Sequence, residues 1–210
     1  MDEGTIDLIT ISREFGSGGS ELAQELGKRL SWRVLDRDLV QRVAERLSLD
    51  PRAVAAMDEH PPGIFSRLSS TLLMTHPEWA TSLDTGDVLS PDAVADATRA
   101  AILDAGQSPP VIVVGHGSQC LFHDRPGTLH LRLVAPLESR IKRICAREPC
   151  EGATAAVQVR RMDTDRSAYV RRYYHSEWRD PLLYDMAINT GRVPIQAAAL
   201  MIVARVRHFA

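Results

Sequence analysis

Residues 6 to 30, IDLITISREFGSGGSELAQELGKRL, pass without a break from a β-branched apolar run through a glycine-rich turn into a helix pattern. That order leaves several backbone N–H groups and the positive end of a helix dipole aimed at one spot, which is how a phosphate cradle is made. The usual form is G-x-x-x-x-G-K-S/T, in which the lysine reaches the outer phosphates and the hydroxyl holds Mg2+. Gly18 and Ser20 fit that frame, but Arg13 stands at the first glycine and Gly19 at the lysine. A tight turn needing positive φ is the competing reading, since glycine serves that purpose too.

Further along, short apolar runs at Leu8 to Ile11, Arg33 to Leu35, Val111 to Val114, His130 to Val134 and, more weakly, Met186 to Ile188 read as strands. Helix patterns fall at Glu21 to Leu30, Arg37 to Leu47, Pro91 to Ala105, Leu137 to Arg147 and Ile195 to Val206. Alternation of this kind predicts an α/β chain with a parallel five-stranded sheet covered on both faces, and at 210 residues one domain is expected. Ligands of such sheets bind beyond the carboxyl ends of the strands, here Ser12, Asp36, Gly115 and Ala135. Two segments interrupt the pattern. Asp50 to Asp87 reads as an inserted helical lobe or as a protein contact surface, and Pro149 to Asp180 as a long arginine-rich helix suited to a lid.

Charge narrows the partners. A net charge of −2 gives no global pull toward nucleic acid or a membrane surface, so polyanion contacts fall to local arginines. Of 25 basic residues, only Lys28 and Lys142 are lysines, so guanidinium forks must do the phosphate binding. Cys120, Cys145 and Cys150 show no C-x-x-C spacing, and with no leader before the first strand a reducing cytoplasm is the expected setting. No apolar run approaches the ~20 residues of a membrane span. A homodimer is left open.

Within the loop, Gly16, Ser17, Gly18, Gly19 and Ser20 are the expected phosphate ligands, with Ser20 at the Mg2+ position and Arg13 supplying part of what the lysine normally does. Glu21 either reaches the metal through water or is simply a first-turn acid. Asp36, ending the second strand, either faces an attacking hydroxyl as base or positioner, or caps the next helix, with Arg37 as an acceptor ligand beside it. Arg160, Arg161 and Arg166 accompany Asp163 on the expected lid, where a row of guanidinium groups could neutralise a transferring phosphoryl; an exposed, salt-bridged helix is the alternative. His116 follows the third strand in Gly115-His116-Gly117 and is either an acceptor contact or a packed turn residue. No histidine spacing suggests zinc.

Several blocks in order resemble the cytidylate kinase-like family, relatives of the nucleoside monophosphate kinases: ITISREFGSGGS at 9 to 20, LDRDLV at 35 to 40, VIVVG at 111 to 115, APLESRI at 135 to 141, DTDRSAY at 163 to 169 and YDMAINT at 184 to 190. The resemblance implies a P-loop kinase fold, an acceptor lobe near 50 to 90, a lid near 150 to 175, and a donor base beside Asn189 and Thr190. It also carries S-R-x-F-G-S-G-G as its own loop, so the absent lysine belongs to this branch. Such proteins often show a G-R pair after the third strand, where this chain has Gly115-His116, and the lobe offers Arg67 as its main interior cation. Both departures favour a neutral, nucleoside-like small-molecule acceptor over CMP. The function expected is therefore transfer of the γ-phosphoryl of ATP or GTP, with Mg2+, to such an acceptor, including inactivation of a natural product. A CMP or dCMP kinase and a nucleotide-binding sensor are the alternatives.

Overall fold

Ile9, Ile11, Val111, Ile112, Val113 and Val114 are stiff at χ1 and suit a pleated surface buried on both sides. In the computed structural model, which describes residues 5–36, 91–147 and 149–207, every one of them is fully buried. Met1–Asp36 with Ile102–Ala210 make one unit and Arg37–Ala101 a second. Of the second, only residues 91–101 are described, and they are helical. The helix expected at Arg37 to Leu47 and the lobe expected at 50 to 90 lie outside the described residues.

The first unit is built on strands β1 (Leu8–Arg13), β2 (Arg33–Leu35), β3 (Val111–Val114), β4 (Thr128–Val134) and β5 (Met186–Asn189). They pair in the order β2-β3-β1-β4-β5, and every pairing is parallel. The helices are α1 (Gly19–Leu30), α2 (Pro91–Gly106), α3 (Ser118–Leu121), α4 (Leu137–Arg147), α5 (Gly152–Tyr174) and α6 (Ile195–Arg207). Leu22 and Leu26 of α1, with Ala198, Ala199 and Ile202 of α6, share one core with Ile9, Ile11 and Leu131 of the sheet. Each buried leucine there contributes about 1.5–3 kcal/mol, so Leu26→Ala is the kind of change that would loosen α1. Among the described residues no helix is long and apolar enough to cross a membrane.

Among the boundaries that differ from expectation, three have a visible cause. β1 continues through Ser12 and Arg13 because both pair with β4, opposite Arg132 and Leu133; their polarity hides the extension from an apolar-run reading. β4 begins at Thr128, just after Gly127, whose carbonyl takes the N–H groups of Asp7 and Leu8. The long helix ends at Tyr174, where His175 turns left-handed (φ 52°) and closes onto Arg171 O. The C-terminal ends of β1 and β3 consequently lie side by side, with β2 beyond β3, at the point where the strand order reverses.

Candidate active site

The turn between β1 and α1 is fixed by its carbonyls. Glu14 O accepts the Ser17 N–H and hydroxyl (3.1 and 2.8 Å), Phe15 O accepts Arg140 Nη1 (3.3 Å), and Gly16 O accepts Arg143 Nη1 (2.8 Å). Ser17 O accepts the Thr190 hydroxyl (2.7 Å), and Gly18 O accepts Leu22 N–H (2.9 Å). With Gly16 and Gly18 left-handed at φ 79° and 89°, the N–H groups of Gly16, Gly18, Gly19 and Ser20 take no acceptor among the described residues. Every carbonyl from Glu14 to Gly18 accepts a hydrogen bond, while these four donors at and just before the start of α1 do not find an acceptor among the described residues, the arrangement an anion cradle needs.

Two of the residues expected at the ligand have their hydroxyls bonded within the loop framework. Ser17 is fully buried and its hydroxyl pins Glu14 O, so its side chain shapes the loop and only its position recommends it as a phosphate contact. Thr190, expected beside the donor base, is buried with its hydroxyl on Ser17 O. Its neighbour Asn189 turns its side-chain oxygen to the Gly191 N–H (3.0 Å). Both hydroxyls are consumed in stiffening the cradle. The Ser20 hydroxyl, by contrast, takes no partner among the described residues, and Glu21 is exposed.

Behind the loop lies a brace that sequence reasoning missed. Arg140 of α4 and Asp163 of α5 form a buried ion pair, Nη1 to Oδ2 2.5 Å, with side chains only 10% and 8% exposed. Asp163 Oδ1 accepts the Phe15 N–H at 2.8 Å, Arg140 Nε donates to Ala135 O at 3.0 Å, and Glu14 Oε2 takes the Ala135 N–H at 3.1 Å. Arg166, one turn along from Asp163, donates to Arg13 O (2.9 Å) and covers the Phe15 ring at 5.5 Å. The proposed lid row is thereby divided. Arg166 and Asp163 are bonded to the loop, whereas Arg160 and Arg161 are exposed and Arg161 leans toward Asp165 at 3.8 Å.

Arg13 and Asp36 meet at the strand ends, Nη2 to Oδ1 3.9 Å, with side chains 18% and 12% exposed. The Arg13 stem crosses Gly19: a Cβ built there would lie 2.6 Å from Arg13 Cγ. Beyond β3, His116 is half-buried with φ 57°, and its carbonyl accepts the Tyr174 hydroxyl at 3.0 Å. Arg37 and Arg67 lie outside the described residues. Among those described, no group of three or more His, Cys, Asp or Glu side chains could hold a metal by itself.

Ser12 anchors a second polar cluster on the sheet. Its hydroxyl accepts Trp178 Nε1 (2.8 Å) and the Tyr184 hydroxyl (3.2 Å). Arg132, buried in β4, donates to Trp178 O at 2.7 Å and lies over the Trp178 ring at 4.5 Å. Burial raises the Tyr184 phenol above its ordinary value, against the pull of Ser12 and Arg132. An arginine inside the apolar strand LHLRLV was the visible signal of this cluster.

Comparison with known proteins agrees with this architecture. A family model described as the cytidylate kinase-like family matches residues 8–192. Among solved structures, an uncharacterized protein from Eubacterium ventriosum superposes with a TM-score of 0.69 at 21% identity, covering 95% of this chain and 98% of that one. Shikimate kinase from Acinetobacter baumannii, in complex with shikimate, gives 0.53 at 14% identity over 97% and 94% of the two chains. Shikimate kinase from Bacteroides thetaiotaomicron gives 0.52 at 12% identity over 96% and 98%. No curated protein matches the chain. The fold is that of the P-loop kinases.

Proposed function

The chain belongs to the cytidylate kinase-like family, and on that premise we propose that it is a nucleoside-triphosphate-dependent phosphotransferase acting on a hydroxyl of a small, nucleoside-like acceptor. The observation that carries this reading is the β1–α1 loop, whose carbonyls from Glu14 to Gly18 all accept hydrogen bonds while four N–H groups take no acceptor among the described residues. In this reading the triphosphate of ATP or GTP lies against Gly16 to Ser20. Mg2+ fits the residues present, because that ion takes few protein ligands beside substrate phosphates and water, and the Ser20 hydroxyl, without a partner among the described residues, would hold it. When bound, the ion neutralises charge on the outer phosphate oxygens.

The acceptor hydroxyl approaches from the Asp36 side. Asp36 takes or orients its proton as the oxygen bonds to the γ-phosphorus, and the bridging oxygen leaves with the nucleoside diphosphate. Arg13, beside Asp36, and Arg166, over Phe15, supply positive charge from the protein. Arg37, Arg67 and His116 are the acceptor-side residues of this proposal, with Arg160 and Arg161 contributing field from the exposed side of α5. The sequence from 50 to 90 carries only Arg52 and Arg67 as basic residues, a scarcity that favours a neutral acceptor over a phosphomonoester.

Nucleotide consumption with Mg2+ and either ATP or GTP, measured against nucleosides, shikimate, CMP and dCMP, tests the proposal. Turnover with a neutral hydroxyl compound is expected. Turnover confined to CMP or dCMP would move the acceptor class to phosphomonoesters. Binding of triphosphate with no turnover against any acceptor would make the protein a nucleotide sensor. Asp36→Asn should lower kcat by roughly 10²-fold while leaving donor affinity unchanged.

A further inference from the structure

Arg13 and Gly19 depart from the G-x-x-x-x-G-K-S/T loop at its first and seventh positions, and the structure puts both departures in one volume. A Cβ on Gly19 would lie 2.6 Å from Arg13 Cγ, 2.8 Å from its Cβ and 3.2 Å from its Cδ. Carbon atoms do not approach that closely, and the 2.8 Å contact with Arg13 Cβ, which no side-chain rotation moves, persists in every rotamer of the arginine. An arginine at 13 and any side chain at 19 therefore exclude each other. At its far end the same side chain runs against Gly115, where a Cβ would lie 2.8 Å from Arg13 Cζ and inside the envelope of Nη1. Gly115 is also left-handed at φ 81°. Arg13 is thus threaded between two positions that carry no side chain, with its carbonyl held by Arg166 and its guanidinium 3.9 Å from Asp36.

We infer that Arg13 is the cation of this loop: the charge that a standard loop delivers from its seventh residue is delivered here from its first, through a passage that Gly19 and Gly115 keep open. The inference rests on the phosphotransferase reading and adds the group that supplies the charge and the reason a lysine is excluded. It also gives the exchange a chemical consequence. A planar fork can address a phosphoryl oxygen and the Asp36 carboxylate at once, which a single ammonium does less well.

A double-substitution cycle tests this, because Arg13→Gly with Gly19→Lys rewrites the segment as GEFGSGKS, a complete G-x-x-x-x-G-K-S loop. Affinity for MgATP and MgGTP and the thermal midpoint would be measured for wild type, each single variant and the pair. Arg13→Gly is expected to weaken triphosphate binding by about 10-fold or more, as loss of a charge-assisted contact should. Gly19→Lys is expected to lower both midpoint and affinity, and the double variant to regain both. Gly19→Ala repeats the steric question without charge: it should lower the midpoint although alanine is normally the better helix residue, and adding Arg13→Gly should restore the midpoint but not the affinity.

Wild-type affinity in Arg13→Gly, or a Gly19→Lys protein as stable and tight as wild type, would overturn the inference while leaving the phosphotransferase reading intact. A double variant no better than Gly19→Lys alone would do the same. If folded wild type binds neither triphosphate, the reading itself falls and takes the charge assignment with it. The midpoints of the alanine pair still report the steric exchange in that case.

Discussion

Cutting the Arg140–Asp163 pair is the most direct test of what holds the loop in shape. Asp163→Ala removes a carboxylate whose side chain is 8% exposed, leaves the guanidinium of a 10% exposed arginine without its 2.5 Å partner, and orphans the Phe15 N–H. Removal of one member of a buried pair costs about 3–5 kcal/mol. Glu14, 3.6 Å from Arg140 Nε, remains to compensate part of the stranded charge, so the lower end, about 3 kcal/mol, is expected. For a chain of this length that lowers the thermal midpoint by about 6–12 °C. Asp163→Asn keeps an acceptor for Phe15 and should fall between the two. Arg161→Ala is the internal control, because its pair with Asp165 is longer, 3.8 Å, and its side chain is 46% exposed; a loss of about 0.5 kcal/mol or less is expected there. Calorimetry and urea unfolding supply the stabilities, and the midpoint gain on adding MgATP or MgGTP reports whether the cradle is still formed. If Asp163→Ala unfolds within about 1 kcal/mol of wild type, this pair is not the brace described above.

Within the proposed reaction, Arg166→Ala should slow turnover by roughly 10²-fold, the scale for losing one preorganised donor, and Arg160→Ala and Arg161→Ala should do far less; equal effects in steady-state kinetics would restore a uniform row. His130, bonded to the Thr10 hydroxyl at 2.7 Å, is pushed below its ordinary value of 6.5 by burial, with Asp185 opposing and His123 reinforcing. The folded state thus binds its proton later than the unfolded one. Its contribution to stability is complete above pH 6.5 and lost as pH falls through the lowered value, so midpoints recorded between about pH 7.5 and 5 should drop less in His130→Gln than in wild type. Cys145 and Cys150 have sulfurs 3.1 Å apart at the joint between α4 and α5, whereas burial raises the Cys120 thiol. Diamide should therefore remove two titratable thiols without dimer formation and spare Cys120; loss of Cys120 instead would refute the pairing.

The parallel sheet was legible because its neighbouring strands β1 and β3 carry β-branched runs, ITI and VIVV, and the phosphate cradle because glycine after such a run has few other uses. What stayed hidden was the destination of polar side chains. Ser17 and Ser20 are both serines of one glycine-rich loop, yet one hydroxyl is spent on Glu14 O and the other takes no partner among the described residues. Asp163 and Asp165 stand two apart on the same helix, but only Asp163 falls on the face that meets Arg140. A charged helix reads alike whether its acids meet solvent or a buried guanidinium, because the pairing depends on a partner 23 residues away in the chain. Arg132 was a clearer signal, since an arginine in the middle of an apolar strand must find π faces and carbonyls or destabilise the sheet.

Arg13 and Gly19 show a further limit of position-by-position comparison. Taken singly, each looks like a defect in a standard loop: a bulky residue where a glycine belongs, and a glycine where the charge belongs. In space the first residue fills the volume that the second leaves open. Two substitutions that would each damage a G-x-x-x-x-G-K-S loop are compatible only together, so an intermediate carrying both side chains would clash and one carrying neither would lack the cation. This predicts that affinity and stability change non-additively across the pair, by more than the ~0.5 kcal/mol tolerated between independent sites. Additive behaviour would mean that the two positions, although adjacent, do separate things.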